Sequence, residues 1–344
     1  MISRCVFTKA RQIGLPQAGE GIGESAVSSL YSVVCLACYM KNLFLYLLTV
    51  AIWGSTWYAI TLQLDGTPAQ VSVTYRFALA TLILFGWCWL RRLRLRFSGQ
   101  EHLLLILLGL TLFSVNYMLF YEAEKHLVSG SAAIIFSLLV VFNILNNWLL
   151  FGLKPDRQVI AGAVLGLLGI VLTFWRDLGT INSGSQSILG ITLSLAATLT
   201  ASFGNLVSAR LQRRHIPVVP ANAFGMLYGT VLLSAYVVLS GATFSFDTSP
   251  KYLGSLVYLA VFGSVIAFSS YLTLVGRIGA DRAAFTSILF PIVALFISTA
   301  FEKYRLTLLS ALGITCILTG NVLVLLQKRR VNPEVRTRVL QADS

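Results

Sequence analysis

The sequence carries little charge. Its 344 residues include 26 Lys and Arg and 13 Asp and Glu, so 11% are charged while 56% are apolar. Soluble globular proteins carry about 25% charged residues, and disordered chains combine high charge with low hydrophobicity. The composition therefore excludes a disordered chain and argues strongly against a soluble one.

Cysteines and catalytic motifs are scarce as well. Five Cys in a chain of this length do not make a disulfide scaffold, which needs more Cys in a much shorter chain. No zinc-protease, serine-hydrolase or phosphate-loop motif occurs. We therefore predict a protein that is not an enzyme, with no metal and no cofactor, whose work is not driven by its own nucleotide hydrolysis.

Apolar runs fill most of the chain. A transmembrane helix needs about 20 mostly apolar residues, and we predict ten spans at 43–64, 69–90, 103–122, 127–151, 158–175, 187–208, 221–240, 252–275, 283–301 and 306–326. The fold class predicted is an all-α integral membrane protein with ten transmembrane helices. Its partners are then the lipid bilayer and a small-molecule substrate.

The net charge of +13 follows the topology of these spans. Short cytoplasmic loops carry an excess of Lys and Arg, and an inside N-terminus places 15 such residues inside and five outside. We therefore expect a multi-pass protein of the cell (inner) membrane with both ends in the cytoplasm. Because the basic residues lie in separate short loops, no nucleic-acid partner is predicted.

The spans form a repeat. Gly162 and Gly169 recur as Gly313 and Gly320 at an offset of 151 residues, and Ala132–Ala133 recurs as Ala283–Ala284 at the same offset. Each copy holds five spans, an odd number, so the second copy enters the membrane from the opposite side. Inverted repeats of this kind are common in secondary transporters that work by alternating access.

We divide the chain on this basis. The predicted segments are an N-terminal extension at 1–41, disordered or due to an over-long start, a first five-helix repeat at 42–175, an outer linker at 176–186, a second five-helix repeat at 187–326 and a cytoplasmic basic tail at 327–344.

Several segments resemble one known family. They are Trp53-Gly54-Ser55-Thr56, Arg76-Phe77, the run from Tyr121 to Leu138, and the run from Phe262 through Ala280 to Pro291. In order and spacing they resemble the EamA-type transporters of the drug/metabolite transporter superfamily, over about residues 42–326. The resemblance implies a permease of two inverted five-helix repeats that moves small metabolites such as amino acids.

The sequence departs from that family at two positions. Val140 stands where family members often have Pro, although Pro291, a predicted helix break, is present in the second half. Leu153 stands where members often have Glu, for which Glu302 is the counterpart in the second half.

Arg76 is the leading candidate for a substrate site. It lies inside the second span, and an Arg at mid-helix costs about 2.5–3.5 kcal/mol on insertion scales. One interpretation is a guanidinium in the central cavity that binds a substrate carboxylate. The alternative is an Arg that extends to the outer interface or bonds backbone carbonyls of a neighbouring helix.

Other polar and aromatic residues inside predicted spans are candidates to line the cavity. Asn143, Asn146 and Asn147 share one helical face, and amides do not face lipid, so they either bond between helices or meet substrate. The same two readings apply to Trp53, Asn116, Tyr117, Asn205 and Tyr228.

Glycines and acidic residues are expected to have other roles. Small residues let membrane helices approach closely, which suits packing within the chain or in a homodimer; the candidates are Gly162, Gly166, Gly169, Gly313 and Gly320. Glu122, Glu124 and Glu302 lie at predicted outer ends of spans and are expected to be solvated. With no acid inside a predicted span, a carboxylate route for proton coupling has little support.

The function predicted is a secondary transporter of small metabolites, an exporter of amino acids or related solutes. The alternatives are a transporter for drugs or nucleotide sugars and an integral-membrane enzyme. Nucleotide substrates would favour several cavity cations, whereas Arg76 is the single one predicted.

Overall fold

The computed structural model describes residues 24–64, 66–152, 157–175, 186–278 and 286–325. All regular secondary structure in these ranges is helical. The first half contains α1 (Glu24–Thr61), α2 (Ala69–Leu90), α3 (Gly99–Ala123), α4 (Ser129–Phe136 and, after a turn, Leu139–Phe151) and α5 (Arg157–Thr173). The second half contains α6 (Gln186–Arg213), α7 (Val218–Leu239), α8 (Pro250–Tyr258, Leu259–Ile266 and Ala267–Ile278), α9 (Thr286–Phe301) and α10 (Leu308–Leu325).

The all-helical prediction is thus confirmed for the described part of the chain. By length and composition, seven segments can cross a membrane; they are Met40–Thr61, Ala69–Leu90, Gly99–Ala123, Ser129–Leu150, Gln186–Arg213, Val218–Leu239 and Pro250–Tyr271. Three further predicted spans are shorter apolar helices, Arg157–Thr173, Thr286–Phe301 and Leu308–Val324. Large apolar side chains cover the outer surface, with Trp89 79% and Leu239 85% exposed, as suits contact with lipid.

Helix α1 begins earlier than predicted. It runs without a break from Glu24 to Thr61, across the boundary placed at residue 42, because no Pro or Gly interrupts residues 24–53. The segment boundary predicted at residue 42 thus lies within a continuous helix. The linker at 176–185 and the tail at 327–344 lie outside the described residues.

Local chemistry sets several helix ends. Ser98 and Glu101 form a capping box at the start of α3, in which Ser98 Oγ accepts from the Glu101 N–H and the Glu101 carboxylate accepts from the Ser98 N–H. Pro68 and Pro217 precede α2 and α7. Gly152 ends α4 in the left-handed conformation at φ 68°, which Gly adopts without steric cost.

Two helices contain π-helical stretches. They are Thr111–Val115 in α3 and Leu259–Ile266 in α8. Moving the first stretch by the 150 residues that separate Tyr121 from Tyr271 places it within the second. Such stretches are rare and often lie at functional sites.

The helix contacts also correspond between the halves. Helix α1 packs against α9 and α8, while α6 packs against α4 and α3. Helix α2 packs against α7, and α5 against α10. Each half therefore packs mainly on the other, and the polar site described next lies between them.

Candidate functional site

Arg76 is buried in the helix bundle. It lies in α2, about 10 Å along the helix from Ala69 at 1.5 Å per residue, and is 2% exposed. Its Nε donates to Ser264 Oγ at 3.2 Å and its Nη1 to Tyr121 Oη at 3.5 Å. The Tyr117 ring lies 4.6 Å from the guanidinium carbon and the Phe77 ring 5.5 Å, close enough for cation–π attraction.

The π-helical stretch of α8 positions Ser264. Its hydroxyl donates to the Leu259 carbonyl, five residues earlier, at 3.0 Å, and this leaves an oxygen lone pair for the Arg76 Nε. A regular α-helix pairs residues four apart, so the π turn gives this serine its acceptor and its direction.

Gly263, next to Ser264, lies where α8 comes close to both α1 and α2. Its carbonyl accepts from Trp53 Nε1 at 3.3 Å. A methyl group at Gly263 would lie 2.8 Å from Thr56 Cγ2 and 3.3 Å from Arg76 Nη2. The absence of a side chain lets α8 approach the guanidinium.

A short hydrogen-bonded chain leads away from Arg76. The Tyr121 hydroxyl donates to Gln63 Oε1 at 2.9 Å while it accepts from Arg76. Gln63 is fully buried, and its Nε2 finds no hydrogen-bond partner among the described residues. This series of hydrogen bonds therefore ends near the end of α1, on an amide nitrogen with no partner among the described residues.

This geometry bears on the alternative interpretation of Arg76. A guanidinium that is 2% exposed does not extend to the interface, and its described partners are side chains, so both parts of the alternative reading are wrong. Ser264 and Tyr121, its described hydrogen-bond partners, are both uncharged. Arg76 therefore holds its charge between neutral groups.

Two further predicted cavity residues belong to this cluster. Tyr117 lies against the guanidinium, as above. Trp53 is part buried and packs on Phe268, Tyr271 and Phe290 at 5.1–6.3 Å. Both residues thus have packing contacts as well as contacts at the site.

The predicted amides lie elsewhere. Asn116 donates to the Leu112 carbonyl of its own helix at 3.3 Å. Asn205 in α6 donates to Asn143 in α4 at 3.5 Å, and Asn146 donates to Ser202 at 2.8 Å. The Asn147 side chain lies outside the described residues.

Tyr228 is bonded away from Arg76. Its hydroxyl lies 2.7 Å from His102 Nδ1, near the start of α3, and Phe224 packs against both rings. We propose that Tyr228 joins α7 to α3 rather than lining the cavity.

The predicted glycines line the crossing of α5 and α10. A methyl at Gly162 would lie 2.6 Å from the Gly320 carbonyl oxygen, and one at Gly169 2.6 Å from that of Gly313. At Gly166 a methyl would meet Leu138 at 3.0 Å. These contacts lie within one chain. Pro291, where a break was expected, lies inside α9, which runs from Thr286 to Phe301 without interruption.

The acidic residues differ from each other. Glu122 is partly exposed and pairs with Lys125 at 2.7 Å. The Glu302 carboxylate accepts from the Ser129 N–H at 3.2 Å and from its hydroxyl. Glu124 is 5% exposed, so the expectation that it is solvated is wrong. Its position one residue beyond the end of α3 concealed its burial in the sequence.

These features together define a helical membrane protein with a buried polar site. The chain belongs to the EamA-like transporter family, whose sequence model matches residues 40–175 and 188–326. The family domain is thus present twice, and the resemblance drawn from the sequence is confirmed. The chain is a multi-pass membrane protein of a transporter family.

Particular relatives agree with this assignment. The chain is 28% identical over 282 residues to the "Uncharacterized inner membrane transporter YedA" of Escherichia coli, over 80% of this chain and 88% of that one. It is 26% identical over 293 residues to Protein PagO of Salmonella typhimurium, over 83% and 92%. It is 26% identical over 295 residues to an Escherichia coli "Probable amino-acid metabolite efflux pump", over 81% and 93%.

A solved crystal structure has a similar fold. It matches with a TM-score of 0.60 and 16% identity, over 85% of this chain and 99% of that one. At this identity the likeness concerns the fold alone.

Proposed function

We propose that this chain is a secondary transporter of the inner membrane that exports amino acids or related small solutes by alternating access. One observation carries the proposal: Arg76 is buried where α2 and α3 of the first half meet α8 of the second. Among the described residues, hydroxyls and an aromatic ring contact its guanidinium.

Such an arrangement suits an anionic group on the substrate. A buried charge without a partner is unfavourable, and the guanidinium has five N–H donors, of which described residues engage two. Its fork geometry matches a carboxylate. A substrate carboxylate would therefore supply the counter-charge, and its arrival would alter contacts in both halves at once.

Ten spans in two inverted repeats are the proposed architecture. The glycine crossing supports it. In the offset of 151 residues Gly162 corresponds to Gly313 and Gly169 to Gly320, yet Gly162 faces Gly320 and Gly169 faces Gly313. Two repeats related by a two-fold axis pair in this way, because the axis places each glycine opposite the counterpart of the other glycine. The matched π-helical stretches in α3 and α8 support the same relation.

The relatives and the charge pattern support the remaining parts. One relative is named as an amino-acid metabolite efflux pump, which supports the substrate class and the direction. The excess of 15 inside over five outside Lys and Arg supports cytoplasmic ends.

The test combines metabolite profiling with reconstitution. Media from strains that lack or overproduce the protein are compared, and each solute that changes is loaded into liposomes with purified protein. Arg76→Gln should reduce release of that solute by about 10- to 100-fold, since a hydrogen bond to a charged group contributes roughly 1.5–3 kcal/mol.

Arg91→Gln is the matched control, because Arg91 is exposed and stacks on Trp87 at 4.9 Å. Arg76→Lys keeps the charge without the fork and should fall between wild type and Arg76→Gln. Normal release by folded Arg76→Gln protein would reject the substrate role of Arg76. An unchanged medium and no release of any solute by wild type would reject transport.

A further inference from the structure

Glu124 is a buried acid with no hydrogen-bond partner among the described residues. It lies one residue beyond the end of α3 and is 5% exposed, and neither carboxylate oxygen has a hydrogen-bond partner in the described part of the chain. Glu122, two residues earlier, is partly exposed and ion-paired with Lys125. Two neighbouring acids therefore differ in the cost of carrying a charge.

The surroundings of Glu124 form an open pocket. Its volume is about 540 Å³, and it is lined by the end of α1, the α3–α4 connection and Glu302 at the end of α9. Lys125 and His126 are the other titratable groups on its wall. The pocket thus opens at the predicted outer side beside Glu124, whose carboxylate oxygens are themselves buried.

Charged groups from two other helices act on Glu124. Burial, and next the negative charge of Glu302, raise the pKa of Glu124 well above its ordinary value, while Arg76 opposes this. An unpaired buried carboxylate is neutralised by proton uptake rather than left charged. Glu124 is thus expected to be protonated while Glu302 stays engaged with Ser129.

Glu124 is linked to the Arg76 site. Tyr121 and Glu124 lie three residues apart on one face of α3, and Tyr121 accepts from Arg76. A substrate anion on Arg76 would cancel the positive charge of Arg76, which favours ionised Glu124. Anion binding and proton binding must then strengthen each other, because linkage is reciprocal.

We propose that Glu124 is a proton-binding site that holds its proton while the substrate anion is bound, so that the two cross the membrane in the same direction. A carboxylate oxygen of Glu124 binds the proton, which comes from water. The bound anion neutralises Arg76, so ionised Glu124 loses its stabilising positive charge and the acid keeps its proton. Net export then requires an outward solute gradient that exceeds any opposing proton gradient. This coupling rests on the proposed transport function; proton binding itself does not.

The first experiment measures proton binding alone. Wild type, Glu124→Gln and Glu122→Gln in lipid nanodiscs are titrated with acid and base, and the C=O stretch of protonated carboxyl groups is followed by infrared spectroscopy. Wild type and Glu122→Gln should keep a protonated band at neutral pH that Glu124→Gln lacks. Identical bands in wild type and Glu124→Gln would overturn the proposal.

A second variant tests the proposal if Glu124→Gln fails to fold. Glu302→Gln removes the neighbouring negative charge, so the band of Glu124 should disappear at a lower pH than in wild type. An unshifted band in folded Glu302→Gln protein would contradict the proposed environment.

The second experiment measures coupling. Liposomes that contain a pH-sensitive dye release the solute that the wild-type protein has been found to carry. Wild type and Glu122→Gln should move protons with the solute, and Glu124→Gln should lose this proton movement. Equal proton movement in Glu124→Gln would reject coupling, whereas no solute release by wild type would reject transport and leave the infrared result standing.

Discussion

The glycine crossing of α5 and α10 yields a sharp prediction. Alanine at Gly162 or Gly169 would place a carbon 2.6 Å from a carbonyl oxygen of α10. Atoms in contact lie about 3.5 Å apart. The helices must therefore separate by close to the difference between this contact distance and 2.6 Å. Overpacking of this kind costs roughly 1–3 kcal/mol, and we expect that loss for each alanine in the free energy of unfolding.

A double-mutant cycle tests the pairing. Gly162→Ala with Gly320→Ala changes two facing residues, so the double variant should lose less than the summed losses of the single ones. Gly162→Ala with Gly313→Ala changes sites about 10 Å apart along the axis at 1.5 Å per residue, and their losses should add.

The assay is equilibrium unfolding in mixed micelles titrated with sodium dodecyl sulfate. Gly86→Ala is the control, since a methyl there meets nothing within 4 Å, and it should not destabilise. Equal coupling in both cycles would refute the facing pairs. A loss of stability that depends on protein concentration would place these glycines in a dimer interface instead.

Three more predictions follow from the site. Gly263→Ala should reduce solute release, because its methyl would lie 2.8 Å from Thr56 Cγ2, whereas Gly254→Ala, with nothing within 4 Å, should not; equal release by both would contradict the close contact. Tyr117→Leu should lower the free energy of unfolding by about 2 kcal/mol through lost cation–π attraction, and Tyr117→Phe by less; equal losses would exclude that attraction. The raised pKa of Glu124 means that the folded state holds its proton more tightly than the unfolded state. Stability should therefore fall as pH rises from about 4.3, the ordinary Glu value, through the folded pKa; thermal unfolding should show a flatter pH profile for Glu124→Gln, and parallel profiles would contradict this.

Helix positions could largely be predicted from the sequence. The second span was predicted at 69–90 and the helix is Ala69–Leu90, because Pro68 and the cations from Arg91 onward bound an apolar run. The start of α1 at Glu24 was not predicted. The hydrophobic pattern locates an apolar span, but it does not show how far the helix extends beyond that span. The helix through Pro291 was missed because helices that pack closely can accommodate a proline.

The site was predicted only in part. Arg76 could be found because a charge inside an apolar run is conspicuous. Its partners Tyr121 and Ser264 are neutral and distant in sequence, and no spacing rule joins them. Glu124 stands directly before Lys125 at a span end, where solvated charges are common, so its burial follows from tertiary packing that composition does not encode.

The π-helical stretch of α8 sets the rotational register of that helix. At its start Tyr252 lies 3.1 Å from the hydroxyl of Ser72 in α2, and beyond the stretch Phe268 and Tyr271 pack on Trp53 of α1. Deleting one residue within Leu259–Ile266 would allow a regular α-helix but would turn everything after it by about 100°. Tyr252 would keep its contact with Ser72, whereas Phe268 and Tyr271 would no longer pack on Trp53. The length of this stretch, to a single residue, thus determines which helix each end of α8 faces.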